Sequence, residues 1–387
     1  MLNKISLSVG LIYFIFGFIL IKNKTKTVKI IALVYLVSYF LNIYNTNLFD
    51  YDLETSPFAA VYFSIITILI LQLINSSNEL YKYKVNWNTG IKVLFFTVLF
   101  SCLIVSISRL QSAIEIFQSD RLGYLRNMYY QGEGYSESNI LINYLAIISA
   151  YFRLPSILLS LSLLNSKYSR FVIYFIIIIY LPYILSAVLS ISRGMFVVVF
   201  FDIFIIYNYL KANNLKLFKK SKITKRVSLP FIAVLSLISL FVYNITVSRF
   251  DNSNGNHMLE YFSHSIYFFT SSVNEFDNYF YGSYSLNYFF NFSNLNNLVL
   301  ETGTGFFTYL GALFIDFGYF GGFILLFILS MFILPFNFSN QHRVSKSMLY
   351  FLVVEQFFMG VFVWGLNFGL TFLLCFIVSR ILKILNN

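Results

Sequence analysis

The chain of 387 residues is 58% hydrophobic and only 11% charged, where soluble domains carry about 25% charged residues. That composition, with a mean hydropathy of +0.73, excludes a soluble globular domain. The net charge of +11 does not mark a nucleic-acid-binding surface, because the basic residues sit mostly in short segments between apolar runs, as in cytoplasmic loops.

In chain order, apolar runs fall near 5–21, 30–46, 57–75, 91–108, 139–164, 171–190, 195–210, 228–247, 313–334, 348–363 and 368–384. A helix needs roughly 20 residues to cross a bilayer core. Each run is expected to be a helix, because in lipid the backbone must satisfy its own hydrogen bonds. The run 171–185 does not alternate as a barrel strand would. The first run is followed by Lys22, Lys24, Lys26 and Lys29, which places the N-terminus outside. It lacks a small-residue cleavage site and reads as a retained helix rather than a removed signal peptide. Alternation then gives about eleven spans, or twelve if a re-entrant segment precedes Phe314, with the C-terminus inside.

The expected fold is therefore an all-α polytopic membrane protein with a single domain over 1–387. Two outer segments exceed simple connections: the loop 110–138 and the large loop 248–311, rich in Tyr, Phe, Asn and Ser. Loops beyond about 15 residues usually carry function or are disordered. The aromatic content of the second implies short helices folded back onto the bundle. Cys102 and Cys375 lie far apart in apolar runs, so neither a disulfide framework nor a metal site is expected. No internal repeat or matched pair of broken spans appears, which weighs against an inverted-repeat transporter.

With this topology, 20 of the 27 Lys+Arg lie inside and 12 of the 16 acids outside. The two basic residue types divide unequally. Lys4 is the one lysine outside, whereas Arg109, Arg121, Arg126, Arg153, Arg193 and Arg249 are outside or within spans. Charge alone would not choose between them. A planar guanidinium binds phosphate oxygens in a bidentate manner, which an ammonium does not. The plainer alternative is that these arginines pair with outer acids or lie at helix ends.

Arg153 falls well inside a run, two residues before Pro155. At the bilayer centre an arginine costs about 2.5–3.5 kcal/mol, so it needs a partner or an aqueous cavity. The acids within spans are Asp202, Asp316 and Glu355, and an Arg153–Asp202 pair with a purely structural role is one outcome. Arg193 lies in Ser190-Ile191-Ser192-Arg193-Gly194, where glycine permits a sharp turn. In the large loop Glu260 and His264 would share a helical face at i, i+4. That pair could serve as a general base, though the spacing alone favours a solvated helix cap or an ordinary surface pair. No dense His/carboxylate cluster points to a metal, and no phosphate-loop or dinucleotide glycine pattern is present.

Three segments resemble one family, the O-antigen (oligosaccharide repeat-unit, Wzy-type) polymerases. Ser190-Ile191-Ser192-Arg193-Gly194 resembles their Ser-Arg-Gly element. Thr308-Tyr309-Leu310 with Asp316-Phe317-Gly318-Tyr319-Phe320-Gly321 resembles their Asp-Phe-Gly-x-x-Gly element. Tyr267-Phe268-Phe269-Thr270-Ser271 with Phe276-Asp277-Asn278-Tyr279 is similar to their aromatic loop stretch. The resemblance covers most of the chain loosely. It departs in the span count, since members commonly show twelve with both ends inside.

The resemblance implies a bacterial inner-membrane, multi-pass, metal-independent glycosyltransferase without cofactor, of the O-antigen ligase/polymerase type of fold. It would join undecaprenyl-pyrophosphate-linked oligosaccharides, both donor and acceptor, at the outer face, alongside a flippase and a chain-length regulator of the same pathway. Arg193 and Arg249, with Arg109 and Arg153, would hold the donor pyrophosphate, and Arg121 and Arg126 would add to substrate binding. His264 or Glu260, then Asp277, would activate the acceptor hydroxyl. Asp316 would orient the acceptor or hold Arg193, and Tyr267 would stack on sugar. The alternatives are an O-antigen ligase and a transporter or flippase of lipid-linked oligosaccharide.

Overall fold

The computed structural model describes residues 2–45, 54–77, 85, 87, 89–117, 139–189, 194–215, 266–267, 269–271, 310–333, 350–355 and 357. Every regular element among them is helical. Five helices are long and apolar enough to cross a membrane, and a bent pair supplies a sixth if counted as one span. The chain is a membrane-embedded helical protein. The expected spans at 228–247 and 368–384 lie outside the described residues, as does most of the loop 248–311. By its contacts the chain divides into two compact units: Met1–Leu80 with Asn256–Arg380, and Tyr81–Gly255 with Ile381–Asn387.

The first unit is built on α1 (Leu2–Leu20), α2 (Lys26–Asn45) and α3 (Pro57–Ser76). Ser56 caps α3 by accepting from the Ala59 N–H, and Pro57 opens the helix where a missing N–H costs nothing. Gly10 lets α1 approach α3 closely: a Cβ there would sit 2.9 Å from Ala60 Cβ. Ser64 Oγ reaches across to the Gly10 carbonyl at 2.7 Å, and Tyr39 Oη from α2 meets Ser64 Oγ at 2.5 Å. These contacts cross-link three helices whose apolar surfaces alone gain little from meeting in lipid. The same end of the unit gathers the start of α1, the start of α3 and part of the large loop. Asn3 Oδ1 accepts from the Thr55 N–H at 2.8 Å. Asn42 Oδ1 accepts from the Tyr267 N–H at 2.9 Å, and the Ser56 N–H donates to the Thr270 carbonyl at 2.9 Å.

The expected span 313–334 is not continuous. It divides into α9 (Gly311–Phe317) and α10 (Phe320–Ile333). Gly318 between them adopts φ 59°, ψ −145°, a conformation open essentially to glycine alone. Tyr62 of α3 closes the gap: its Oη donates to the Tyr319 carbonyl at 2.7 Å and accepts from the Gly322 N–H at 2.8 Å. A Cβ on Gly321 would strike the Leu313 carbonyl oxygen. The Asp-Phe-Gly-x-x-Gly stretch is thus, physically, a helix break held by a tyrosine from another helix.

The second unit contains α4 (Thr89–Phe117), α5 (Ile140–Tyr151), α6 (Arg153–Ser162), α7 (Val172–Leu189) and α8 (Gly194–Ala212), with 3-10 turns at Leu163–Asn165 and Ser169–Phe171. α4 has 29 residues, about 43 Å at 1.5 Å per residue, longer than a bilayer core of about 30 Å. The outer loop expected from residue 110 therefore begins as helix and stays helical through Phe117. α4 packs on α5 and α7. Phe95 and Phe175 meet edge-on at 5.5 Å, and Trp87 Nε1 donates to Ser162 Oγ at 3.0 Å.

Candidate functional site

The expected span 139–164 is also divided, and the division creates the site. Ile140–Ala150 and Arg153–Asn165 are bent by 55°. Pro155 has no N–H, so the residue 151 carbonyl loses its usual partner, while proline remains tolerable in the first turn of α6. Phe152 precedes α6 without a side-chain cap. Arg153 stands at the first position of α6, where the helix dipole is positive and disfavours a cation. An anion must compensate it, and α8 supplies one.

Arg153 Nε donates to Asp202 Oδ2 at 2.9 Å, with side chains 5% and 0% exposed. Tyr180 Oη of α7 donates to the same oxygen at 2.9 Å. The Arg153 guanidinium lies over the Tyr183 ring, 4.1 Å from its centroid, a cation–π contact that gains strength away from water. Asp202 Oδ1 is buried with no hydrogen-bond partner among the described residues. A pair so enclosed has poor net stabilising value, but removing one partner leaves an uncompensated charge.

A second arginine joins the same helix one turn further on. Arg109 Nη1 of α4 donates to Ser186 Oγ at 2.6 Å. Ser186 Oγ in turn donates to the Pro182 carbonyl at 2.7 Å. Arg109 Nε is buried without a hydrogen-bond partner among the described residues. Tyr180, Tyr183 and Ser186 recur every three residues, so they line one face of α7 over about 9 Å. Among the described residues, that face meets two guanidinium groups and one carboxylate.

Of the residues singled out from sequence, Arg109 and Arg153 each contact a residue of α7, Ser186 and Tyr183. Asp316 and Tyr267 belong to the other unit. Asp316 is fully buried on α9, and Tyr267 is 1% exposed, so its ring offers no open face to a sugar. Arg121, Arg126, Arg193, Arg249, Glu260, His264 and Asp277 lie outside the described residues. The roles of Tyr180, Tyr183 and Ser186 were missed. Their signal was polar or hydroxyl-bearing residues at a spacing of three within an otherwise apolar helix. Among the described residues, no three His, Cys, Asp or Glu side chains form a group that could hold a metal ion.

Against known proteins, no family model, no curated protein and no solved structure matches this chain.

Proposed function

We propose that this membrane protein is a polysaccharide polymerase that transfers a growing glycan from one undecaprenyl pyrophosphate to the next lipid-linked repeat unit. The observation that carries the reading is the α7 face, where Arg109 bonds to Ser186 and Arg153 lies over the Tyr183 ring three residues earlier. A departing pyrophosphate concentrates negative charge, and prearranged cations that stabilise such charge are usually the largest catalytic contribution. α7 ends at Leu189 and α8 begins at Gly194, so Arg193 of the Ser-Arg-Gly element follows this face in sequence by a few residues. The resemblance of the three sequence elements to O-antigen polymerases supports the same reading.

In this reading the fold is the many-span glycosyltransferase type, with eleven spans, or twelve if a re-entrant segment is counted. The site opens to the extracytoplasmic side of a bacterial inner membrane. Arg193 and Arg249 complete the pyrophosphate clamp, with Arg121 and Arg126 beside it. His264 or Glu260, then Asp277, takes the acceptor proton. Tyr267 anchors the large loop rather than stacking on sugar, and Asp316 acts from the buried side of the helix break. No metal or cofactor is required, and a flippase and a chain-length regulator act beside it.

One observation favours a second reading. A file of buried charges along one helix also suits a transport path for a lipid-linked oligosaccharide. Complementation separates the two in a strain lacking its own copy of the gene. A null strain that makes single-unit surface glycan, with a length ladder restored by the wild-type chain, supports the polymerase. Long unattached chains in the null strain mean a ligase. Lipid-linked units stranded on the inner face mean a transporter.

A further inference from the structure

The lysines that follow α1 stand on a turn with a defined architecture. The Thr25 N–H donates to Asn75 Oδ1 at 2.9 Å, and Asn75 Nδ2 donates to the Lys22 carbonyl at 3.0 Å. Thr25 Oγ1 caps α2 by accepting from the Val28 N–H at 3.3 Å. Asn23 completes the turn at φ 49°, in the left-handed region that asparagine tolerates. The turn is thereby fixed to the last residues of α3.

Between the ends of α1 and α3 lies a cavity of about 310 Å³ lined by Leu20, Ile21, Lys22, Gln72, Asn75 and Ser76. Its lining mixes two chemistries. Leu20 is 78% exposed, with the neighbouring Ile19 at 62% outside the cavity, a surface that acyl chains cover in a bilayer. Lys22 and Gln72, both exposed, are the lining residues that carry an ammonium and an amide. Lys24 is committed elsewhere, its Nζ donating to the Ile19 carbonyl at 3.1 Å and lying 5.0 Å from the Phe18 ring centroid. No acid occurs in residues 1–49. The acid nearest in sequence to the α3 side, Glu79, lies outside the described residues.

We propose that this cavity binds the headgroup of an anionic glycerophospholipid. The phosphate meets Lys22 and Gln72, and the first methylenes of the acyl chains run along Leu20 and Ile21. A volume of about 310 Å³ is at the lower limit of ligand pockets, roughly 300–1,000 Å³, which suits a headgroup rather than a whole lipid. Charge complementarity selects the anionic class, and the exposed Leu20 at the rim selects a lipid over a soluble phosphate. The proposal is independent of any catalytic role.

The test is the melting temperature of the purified full chain in phosphatidylcholine nanodiscs as phosphatidylglycerol is titrated in. Four proteins are compared: wild type, Lys22→Gln, Lys22→Gln with Gln72→Leu, and Lys29→Gln. Lys22 and Lys29 are both exposed, and melting without phosphatidylglycerol checks that each variant folds. Wild type should be stabilised, with the half-effect concentration raised about tenfold in the Lys22 variants and by no more than about twofold in Lys29→Gln, because a general surface attraction weighs each lysine alike. Soluble glycerol phosphate should leave melting unchanged. Equal losses from Lys22→Gln and Lys29→Gln would reduce the site to diffuse attraction. A shift with glycerol phosphate would make it a soluble-anion site, and no response of the wild type to phosphatidylglycerol would overturn it outright.

Discussion

Arg153 Nε and Asp202 Oδ2 stand 2.9 Å apart with almost no access to solvent, joining the break between α5 and α6 to the middle of α8. The arginine that makes this contact follows the helix interruption directly. The fold therefore places a charge at a helix fracture and holds both with a single acid.

Asp202→Asn should destabilise the protein by about 3–5 kcal/mol, the usual consequence of leaving a buried charge without its partner. Arg153→Met combined with Asp202→Leu should recover most of that stability, since an apolar pair of similar volume is often neutral. Denaturant unfolding of the purified protein in detergent measures both. Under the polymerase reading the double variant folds yet restores no glycan ladder.

Tyr180→Phe removes a hydroxyl that donates to Asp202 Oδ2. Hydrogen bonds to charged groups contribute about 1.5–3 kcal/mol, so the loss should fall in that range, below that of Asp202→Asn. A Tyr180→Phe variant as damaged as Asp202→Asn would mean that the tyrosine, not the arginine, is the main partner of the acid.

Arg109→Lys keeps the positive charge but not the guanidinium fork. Its exposed neighbours Leu110 and Ile107 face outward, so protein level should stay near wild type while the polysaccharide ladder collapses toward single units. Full activity in Arg109→Lys would show that the site needs charge alone.

Gly318→Ala forces a side chain into φ 59°, ψ −145°, at a cost of about 1–3 kcal/mol. Tyr62→Phe, which strands the Tyr319 carbonyl and the Gly322 N–H, should cost about 1–3 kcal/mol as well. Because both changes loosen one break, the double variant should lose less than the sum of the two. Strict additivity in thermal unfolding would separate the glycine from the tyrosine clamp.

The membrane character of the chain was legible because hydropathy is a property of long segments, and helices α1 to α4 begin within four residues of the expected spans. The partner of Arg153 was legible for an energetic reason: a charge in lipid requires an opposite one, and three acids within spans could supply it. The fractures were not. Each stretch, around 151–152 and around 318, carries a single charge, Arg153 or Asp316, within an otherwise apolar run, and one charge sets no periodicity that would reveal a bend. Pro155 was read as loosening the helix beside Arg153 but not as dividing the span, while Gly318 resembled any other small residue. The continuation of α4 through Phe117 escaped notice because Arg109 and Gln111 looked like the start of a loop, whereas a helix can outrun the bilayer. Tyr267 read as a surface aromatic because nothing in its neighbourhood announces that Asn42, 225 residues away, holds its backbone.

That last bond bears on the order in which the protein is made. Asn42 and Ser56, the two acceptor and donor positions for residues 267 and 270, leave the ribosome some two hundred residues before their partners. Synthesis at about 5–20 residues per second gives the first three helices on the order of ten seconds or more to assemble. Residues 267 and 270 then emerge when both of their partners have already been made.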